Sequence, residues 1–387
     1  MRIALLTWES LHSIAIGGVA VHVTELAAAL QRKGNDVHVF TRMRWAGDWQ
    51  YAVVDGVHYH RVPYSGRADI VDDVNEMCRA FVNSVFQTED YMGGHFDIVH
   101  AHDWMSSNAM VWIKQGRGRK GIMTVHSTEY GRNGNNFYGG RAQRIMDHER
   151  HGTYCADRVI TVSFALKGEV QWIYNVPDWK ISMVYNGMSY RAFDGWIDPA
   201  AVRASYHVGP MDPTVLFVGR ITAQKAPDVL VHAMPYVLNY YPNAKLIMTG
   251  DGDMRGLVEQ IAHQRGIAHA CRFYGVLPRN QLIDLYRAVD CVAVPSRNEP
   301  FGLVVLEAWA AGKPVVATHI GGPSEFVWHD VTGYKIWPNP ESVAWGIGSM
   351  FANHDHARWM GQNGRQAVET AFSWDTIADH TLGVYCS

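Results

Sequence analysis

Short apolar runs alternate with longer stretches of helical periodicity along almost the whole chain. Residues 2–7, 37–40, 57–62, 98–100, 122–125, 158–162 and 181–184 read as strands, and 19–32 reads as a helix that Gly34 stops. The pattern restarts with a strand at 214–218, a helix over 228–240, and strands at 245–249, 272–274, 291–294 and 315–317. Such alternation is the signature of parallel sheets built from βαβ units. It predicts an α/β protein of two Rossmann-like, doubly wound domains facing each other across a cleft, with ligands outside the carboxyl ends of the strands. The turn-rich stretch from Asn186-Gly187 through Pro199 to Pro213 is the best linker, which gives domains of 1–185 and 186–372.

The length of 387 residues agrees, because a single core rarely grows so large. A hydrophobic content of 48% with 18% charged residues is that of a compact globular chain. A net charge of −3 leaves no footprint for nucleic acid. The one basic group, Lys114, Arg117, Arg119 and Lys120 beside Trp112, offers a weak case for peripheral contact with anionic lipid and a stronger one for a solvated loop. Five dispersed cysteines form neither a disulfide framework nor a zinc spacing, which points to a reducing compartment. The start of the chain meets Glu9 too early for a signal peptide, and no apolar run reaches membrane-spanning length; a cytoplasmic location is expected.

The densest chemistry lies in Ser296-Arg297-Asn298-Glu299-Pro300-Phe301-Gly302-Leu303 and the helical residues that follow it. A buried strand over 291–294 ends, Pro300-Phe301-Gly302 breaks the chain, and a helix over 303–311 closes at Gly312. Glu299 therefore precedes a helix start and Glu307 sits on its second turn. The amides of Gly302, Leu303 and Val304 suit an anionic phosphate, and flanking carboxylates suit hydroxyls. A nucleotide-sugar has both. Taken alone, the pair reads equally as a helix-start neighbour and a solvated helix residue.

Upstream, Gly219-Arg220 and Lys225 follow the strand 214–218 and deliver two cations before a helix, as a leaving diphosphate requires. In the first half, Gly17-Gly18 separates the first strand from the first helix, where a missing side chain lets backbone approach phosphate. Thr124-Val125-His126-Ser127 follows another strand. His100-Ala101-His102-Asp103-Trp104 puts two imidazoles on one side of an extended segment, but no third metal ligand is indicated. His148, His151, His354 and His356 read as surface residues. Glu129, Tyr130 and the glycine-rich residues up to Tyr138 form either a loop that meets an acceptor or a plain connector.

Glu299 and Glu307, with Gly219-Arg220 and Lys225, resemble the Glu-x7-Glu and Gly-Arg…Lys motifs of retaining glycosyltransferases of family 4, the GT-B family that includes glycogen synthases, sucrose synthases and lipid mannosyltransferases. The resemblance spans nearly the whole chain; Asp157 to Ser163, Val184 to Gly187, Gly250-Asp251-Gly252 and Tyr274-Gly275-Val276 match further segments, and Trp309 is a small departure. It implies that Arg220 and Lys225 hold the diphosphate, Glu299 the sugar and Glu307 the ribose, while His126 contacts the donor sugar at its reacting face. It also implies donor contacts at Gly18, Gly219, Val276, Phe301, Gly302 and Leu303, and an acceptor side formed by His102, Asp103, Glu129 and Tyr130. The last helix, 373–387, is implied to cross back onto the first domain.

In such enzymes the departing phosphate helps deprotonate the acceptor on the same face of an oxocarbenium-like sugar, so that no metal and no further cofactor are demanded. The branch most similar is the glycogen synthases, which implies glucose from ADP-glucose or UDP-glucose moved to an α-glucan. Other family members act on a small sugar, a sugar phosphate or a lipid-linked acceptor. A sugar-nucleotide epimerase and a non-catalytic nucleotide-sugar binding protein are the readings from other classes. Donor base, acceptor and oligomeric state stay open.

Overall fold

The computed structural model describes residues 1–15, 17–43 and 47–387. They divide into two compact units, the first made of Met1–Tyr130, Asn136–Gly187 and Trp374–Ser387, the second of Gly131–Asn135 and Met188–Ser373.

In the first unit the strands are β1 (Arg2–Thr7), β2 (Asp36–Arg42), β3 (Tyr51–Val54), β4 (Val57–Val62), β5 (Ile98–His102), β6 (Lys120–Val125), β7 (Arg158–Thr161) and β8 (Ile181–Met183). They form one sheet in the order β3-β4-β2-β1-β5-β6-β7-β8. All neighbours run parallel except β3 and β4. The antiparallel edge strand β3 was not expected. It is joined to β4 by Asp55-Gly56, both at positive φ (50° and 78°), a two-residue turn whose Asp-Gly signature is visible in the sequence.

The winding direction reverses between β1 and β5, the position at which an open α/β sheet leaves a crevice at its carboxyl edge. The helix Gly18–Arg32 buries Val23, Leu26, Ala27 and Leu30 against this sheet. The final helix, Trp374–Cys386, belongs to the same unit and buries Trp374, Ile377, Ala378 and Tyr385 in that core. Two exposed ion pairs, Arg32 with Asp375 and Lys33 with Asp379, each at 2.7 Å, link the two helices and add little stability beside that burial.

The second unit holds β9 (Thr214–Val218), β10 (Lys245–Thr249), β11 (Cys271–Tyr274), β12 (Cys291–Val294), β13 (Val315–Thr318) and β14 (Gly333–Ile336). Their order is β11-β10-β9-β12-β13-β14, all parallel, with the reversal between β9 and β12. Strand β14 escapes the hydrophobic pattern because its four residues, Gly-Tyr-Lys-Ile, carry little apolar signal.

The expected linker is a correction. From Met188 onward the chain is part of the second unit, with a short helix at Pro199–Ser205. Buried Arg203 there donates to Ala288 O at 2.7 Å and to Asp290 Oδ1 at 2.8 Å, and Asp290 Oδ2 accepts from Thr214 N at the start of β9. A turn-rich composition had concealed a segment tied down by one guanidinium. Trp309 is fully buried, its indole donating to Thr332 O at 2.9 Å, and a Cβ at Gly364 would stand 2.2 Å from it.

The basic group of the first unit is spent internally. Lys114 pairs with Asp157, Arg117 with Glu89 and Asp90, Arg119 with Glu89, and Lys120 donates to the carbonyls of Tyr385 and Ser387. His148 is half-buried rather than at the surface, its Nδ1 beside Asn108 Nδ2 at 2.9 Å. Among the described residues no helix is long and apolar enough to cross a membrane.

Candidate active site

In the second unit the motif residues collect at the carboxyl edge on both sides of the β9/β12 reversal. Lys225 ends a short 3-10 turn after β9, and Glu299 lies in the loop after β12. Lys225 Nζ donates to both carboxylate oxygens of Glu299, at 2.8 and 2.7 Å, and Ser296 Oγ donates to Oε2 at 2.8 Å. Glu299 is 5% exposed, so its carboxylate is shielded from solvent and depends on these donors for compensation. The resemblance assigned the two side chains to different parts of a ligand; in the structure they also pair with each other. Arg220 donates to Gln224 Oε1 at 3.0 Å.

Helix Leu303–Ala310 begins beside them at Gly302, whose φ is 98°. No side chain caps its first turn and no acidic residue lies in it, so the positive end of the helix faces whatever occupies the crevice. One turn on, Glu307 Oε2 accepts from Tyr286 Oη at 2.7 Å, and burial raises the carboxyl's pKa. Phe301 follows Glu299 in the same loop. Its side chain is 3% exposed and packs on Phe326 and Phe372, which leaves only its backbone for a ligand. Val276 is exposed, on the loop after β11.

Two glycines that the sequence reading passed over brace this loop. A Cβ at Gly321 would lie 2.1 Å from Glu299 O, and one at Gly322 2.5 Å from Phe301 Cα. Gly322 N also donates to Glu299 O at 2.8 Å. Their signal was present as Gly-Gly just after β13. Gly250 does the same for the Arg220 loop, a Cβ there falling 1.9 Å from Gly219 O. On the far side of Glu299, Asn298 Nδ2 donates to Asn135 Oδ1 at 2.8 Å.

In the first unit the expected residues gather beyond β1, β5 and β6. Asp103 follows β5 with a φ of 57°, a strained value for a non-glycine residue, and its Oδ1 accepts from His126 N at 2.7 Å. His126 Nε2 lies 3.2 Å from His102 Nδ1. His22, which the sequence reading missed, completes a cluster: its ring centre is 4.5 Å from that of His126 and 5.3 Å from that of His102. Metal ligation had been set aside for want of a third ligand, and that reason fails, since ring nitrogens of His22, His102 and His126 lie within 4.8 Å of one another. His100 is not a member; its ring nitrogens meet Tyr385 Oη and Thr124 Oγ1, each at 2.7 Å.

The amides on either side of Gly18 are already engaged. The buried side chain of Glu9 accepts from Gly17 N at 3.0 Å and Ala20 N at 3.3 Å. Glu129 opens a single helical turn, Glu129–Arg132, and its N–H donates to Glu149 Oε2 at 3.1 Å, so this part of the segment is neither loop nor plain connector. Tyr130 meets exposed Phe137 and Trp172 at ring separations of 4.7 and 5.3 Å.

Burial lowers the pKa of His22, His100 and His102 well below the ordinary value and that of His126 to about 3. All four are neutral at pH 7, whereas the unfolded chain protonates them near 6.5. The folded state therefore loses stability as pH falls below 6.5, by about 1.4 kcal/mol per pH unit for each imidazole. The melting temperature of the first unit is expected to drop sharply between pH 7.5 and 5.5, and a flat profile there would contradict the neutral cluster.

Models of two families match the chain, Glycosyltransferase Family 4 over residues 16–190 and Glycosyl transferases group 1 over 201–367. A Methanocaldococcus jannaschii protein described as an uncharacterized glycosyltransferase is 36% identical over 100% of this chain and 98% of its own. The chain belongs to the family 4 type of GT-B glycosyltransferases. A D-inositol 3-phosphate glycosyltransferase of Segniliparus rotundus is 31% identical over 95% of this chain and 84% of its own, and a Mycobacterium tuberculosis glycogen synthase 28% over 100% and 94%. Among solved structures, sucrose-phosphate synthase from Thermosynechococcus elongatus superposes with a TM-score of 0.84 at 25% identity, covering 100% of this chain and 98% of that one.

Proposed function

We propose that the protein is a retaining hexosyltransferase that moves glucose from ADP-glucose or UDP-glucose to a carbohydrate acceptor, with an α-glucan as the leading acceptor. The observation that carries this reading is the Lys225–Glu299 pair beside an uncapped helix start at the β9/β12 reversal. Cations and helix amides there suit a diphosphate, while Glu299 and Glu307 suit hydroxyls of the sugar and ribose. The reaction breaks the bond between the sugar and the diphosphate oxygen and forms one to the acceptor oxygen. Arg220 and Lys225 take up the charge that develops on the leaving group, and the acceptor proton passes to the departing phosphate. His126, neutral and held by Asp103 and His102, orients sugar hydroxyls by hydrogen bonding rather than by charge. The segments 1–185 and 186–372, with 373–387 returning to the first, are the acceptor and donor domains in this reading.

The cluster of half-buried Tyr130 with exposed Phe137 and Trp172 favours a polymeric acceptor, because the C–H faces of successive glucose rings stack on aromatic surfaces. Trp172→Ala is expected to lower kcat/KM for long glucan primers about tenfold, equal to about 1.4 kcal/mol, and to leave donor hydrolysis unchanged. A small sugar-phosphate acceptor is the second reading, favoured by the 31% identity to the inositol phosphate enzyme. Nucleoside diphosphate release, measured with a panel of nucleotide-sugars and with glucan primers or inositol phosphate as acceptor, separates the two. No release with any donor would refute transfer itself.

A further inference from the structure

At the opposite end of the first sheet, the amino ends of β2 and β4 carry a second set of imidazoles. Asp36 is the first residue of β2, and His38, two residues on, shares its face of the sheet. His38 pairs in register with His58 on β4. The two rings stack with centres 4.4 Å apart. Both Nε2 atoms point to one oxygen: Asp36 Oδ1 is 3.2 Å from His38 Nε2 and 3.8 Å from His58 Nε2.

Each of the three groups is held from behind. Asp36 Oδ2 accepts from Arg2 Nε at 3.0 Å, which leaves Oδ1 to face the imidazoles. His38 Nδ1 lies 2.9 Å from His60 Nε2, and His58 Nδ1 lies 2.6 Å from Tyr51 Oη. In the tautomer in which each Nδ1 donates to this neighbour, the Nε2 lone pair faces forward, the outer-shell arrangement that orients metal-ligating histidines. Ligands of a tetrahedral ion at bond lengths of 2.0–2.1 Å stand about 3.3 Å apart; the His38–Asp36 separation of 3.2 Å matches this, the His58–Asp36 separation of 3.8 Å needs a small inward shift, and the three atoms lie within 4.8 Å of one another. The three atoms border a cavity of about 960 Å³ that supplies room for a fourth ligand.

We propose that Asp36, His38 and His58 form a site for a divalent first-row transition metal of the zinc class, with an open fourth position towards the cavity. It is separate from the His102 and His126 cluster, which lies at the carboxyl ends of β5 and β6 in the same sheet, whereas Asp36, His38 and His58 lie at the amino ends of β2 and β4. Binding ties β2 to β4 and, through Tyr51, to the edge strand β3.

The test is equilibrium dialysis of the untagged, chelator-treated chain against Zn²⁺, with Co²⁺ absorption reporting coordination. Wild type should take up one equivalent that His58→Ala binds at least tenfold more weakly, with Tyr51→Phe weaker by about 10-fold. His22→Ala should leave that equivalent intact, which separates it from the other histidine cluster. His58→Ala removes a partly exposed side chain, and its unchanged circular dichroism and melting in chelator would establish that it folds. Absence of binding by wild type at 100-fold molar excess, or binding lost in His22→Ala and retained in His58→Ala, would overturn the proposal.

Discussion

Replacing Lys225 by alanine is expected to lower kcat/KM for the nucleotide-sugar by at least about 10²-fold, the scale set by removing one fixed charge-stabilising group from an active site. A second effect accompanies the first. Lys225 holds both oxygens of a Glu299 side chain that is 6% exposed, so its loss strands a buried carboxylate and costs about 3 kcal/mol in the second unit. The two effects separate in the double variant Lys225→Ala/Glu299→Gln, which removes the stranded charge: melting should recover in part while transfer stays lost. Nucleoside diphosphate release and thermal melting read the two quantities. Near-normal turnover in Lys225→Ala would remove this residue from the leaving-group clamp.

Gly321→Ala is expected to have the next largest effect, although no ligand contact is ascribed to the residue. Gly321 has φ of 73°, and the added Cβ would meet Glu299 O at 2.1 Å, a backbone atom unable to swing aside. Strain and overpacking together should cost about 3 kcal/mol, or roughly 6–12 °C of melting temperature for a unit of this size. The loop that carries Glu299 must shift, so donor affinity should fall as well. A variant that melts and binds like wild type would show that the two loops do not depend on each other. The control is Gly312→Ala, also at positive φ, where no atom lies within 4 Å; it should show the conformational cost alone.

Much of this was legible in the chain. Arg220, Lys225, Glu299 and Glu307 lie near strand ends and helix starts that the hydrophobic pattern locates, and their residue types fit a sugar diphosphate. The misses have particular causes. Strand β3 is short and half-exposed, so its apolar signal is weak, and only the Asp55-Gly56 turn announces it. His22 was hidden because its helix reads as an ordinary buried face, and a histidine within such a face carries no mark of its neighbours. Glu9 was read only as the charge that ends an apolar run; its bonds to the amides of Gly17 and Ala20 are tertiary contacts that its own neighbours do not announce.

From the sequence alone come the α/β class, the restart of the pattern near residue 214, and the residue types that can grip a phosphate. These follow from periodicity and local chemistry, which adjacent residues carry. Strand order is a different kind of information. That β9 lies beside β12, and β1 beside β5, is decided by which hydrophobic faces pack together over separations of tens of residues, and only that adjacency brings Lys225 to Glu299. The same holds for the imidazoles. His38 and His58 are twenty residues apart in the chain and touch because β2 and β4 pair in one register.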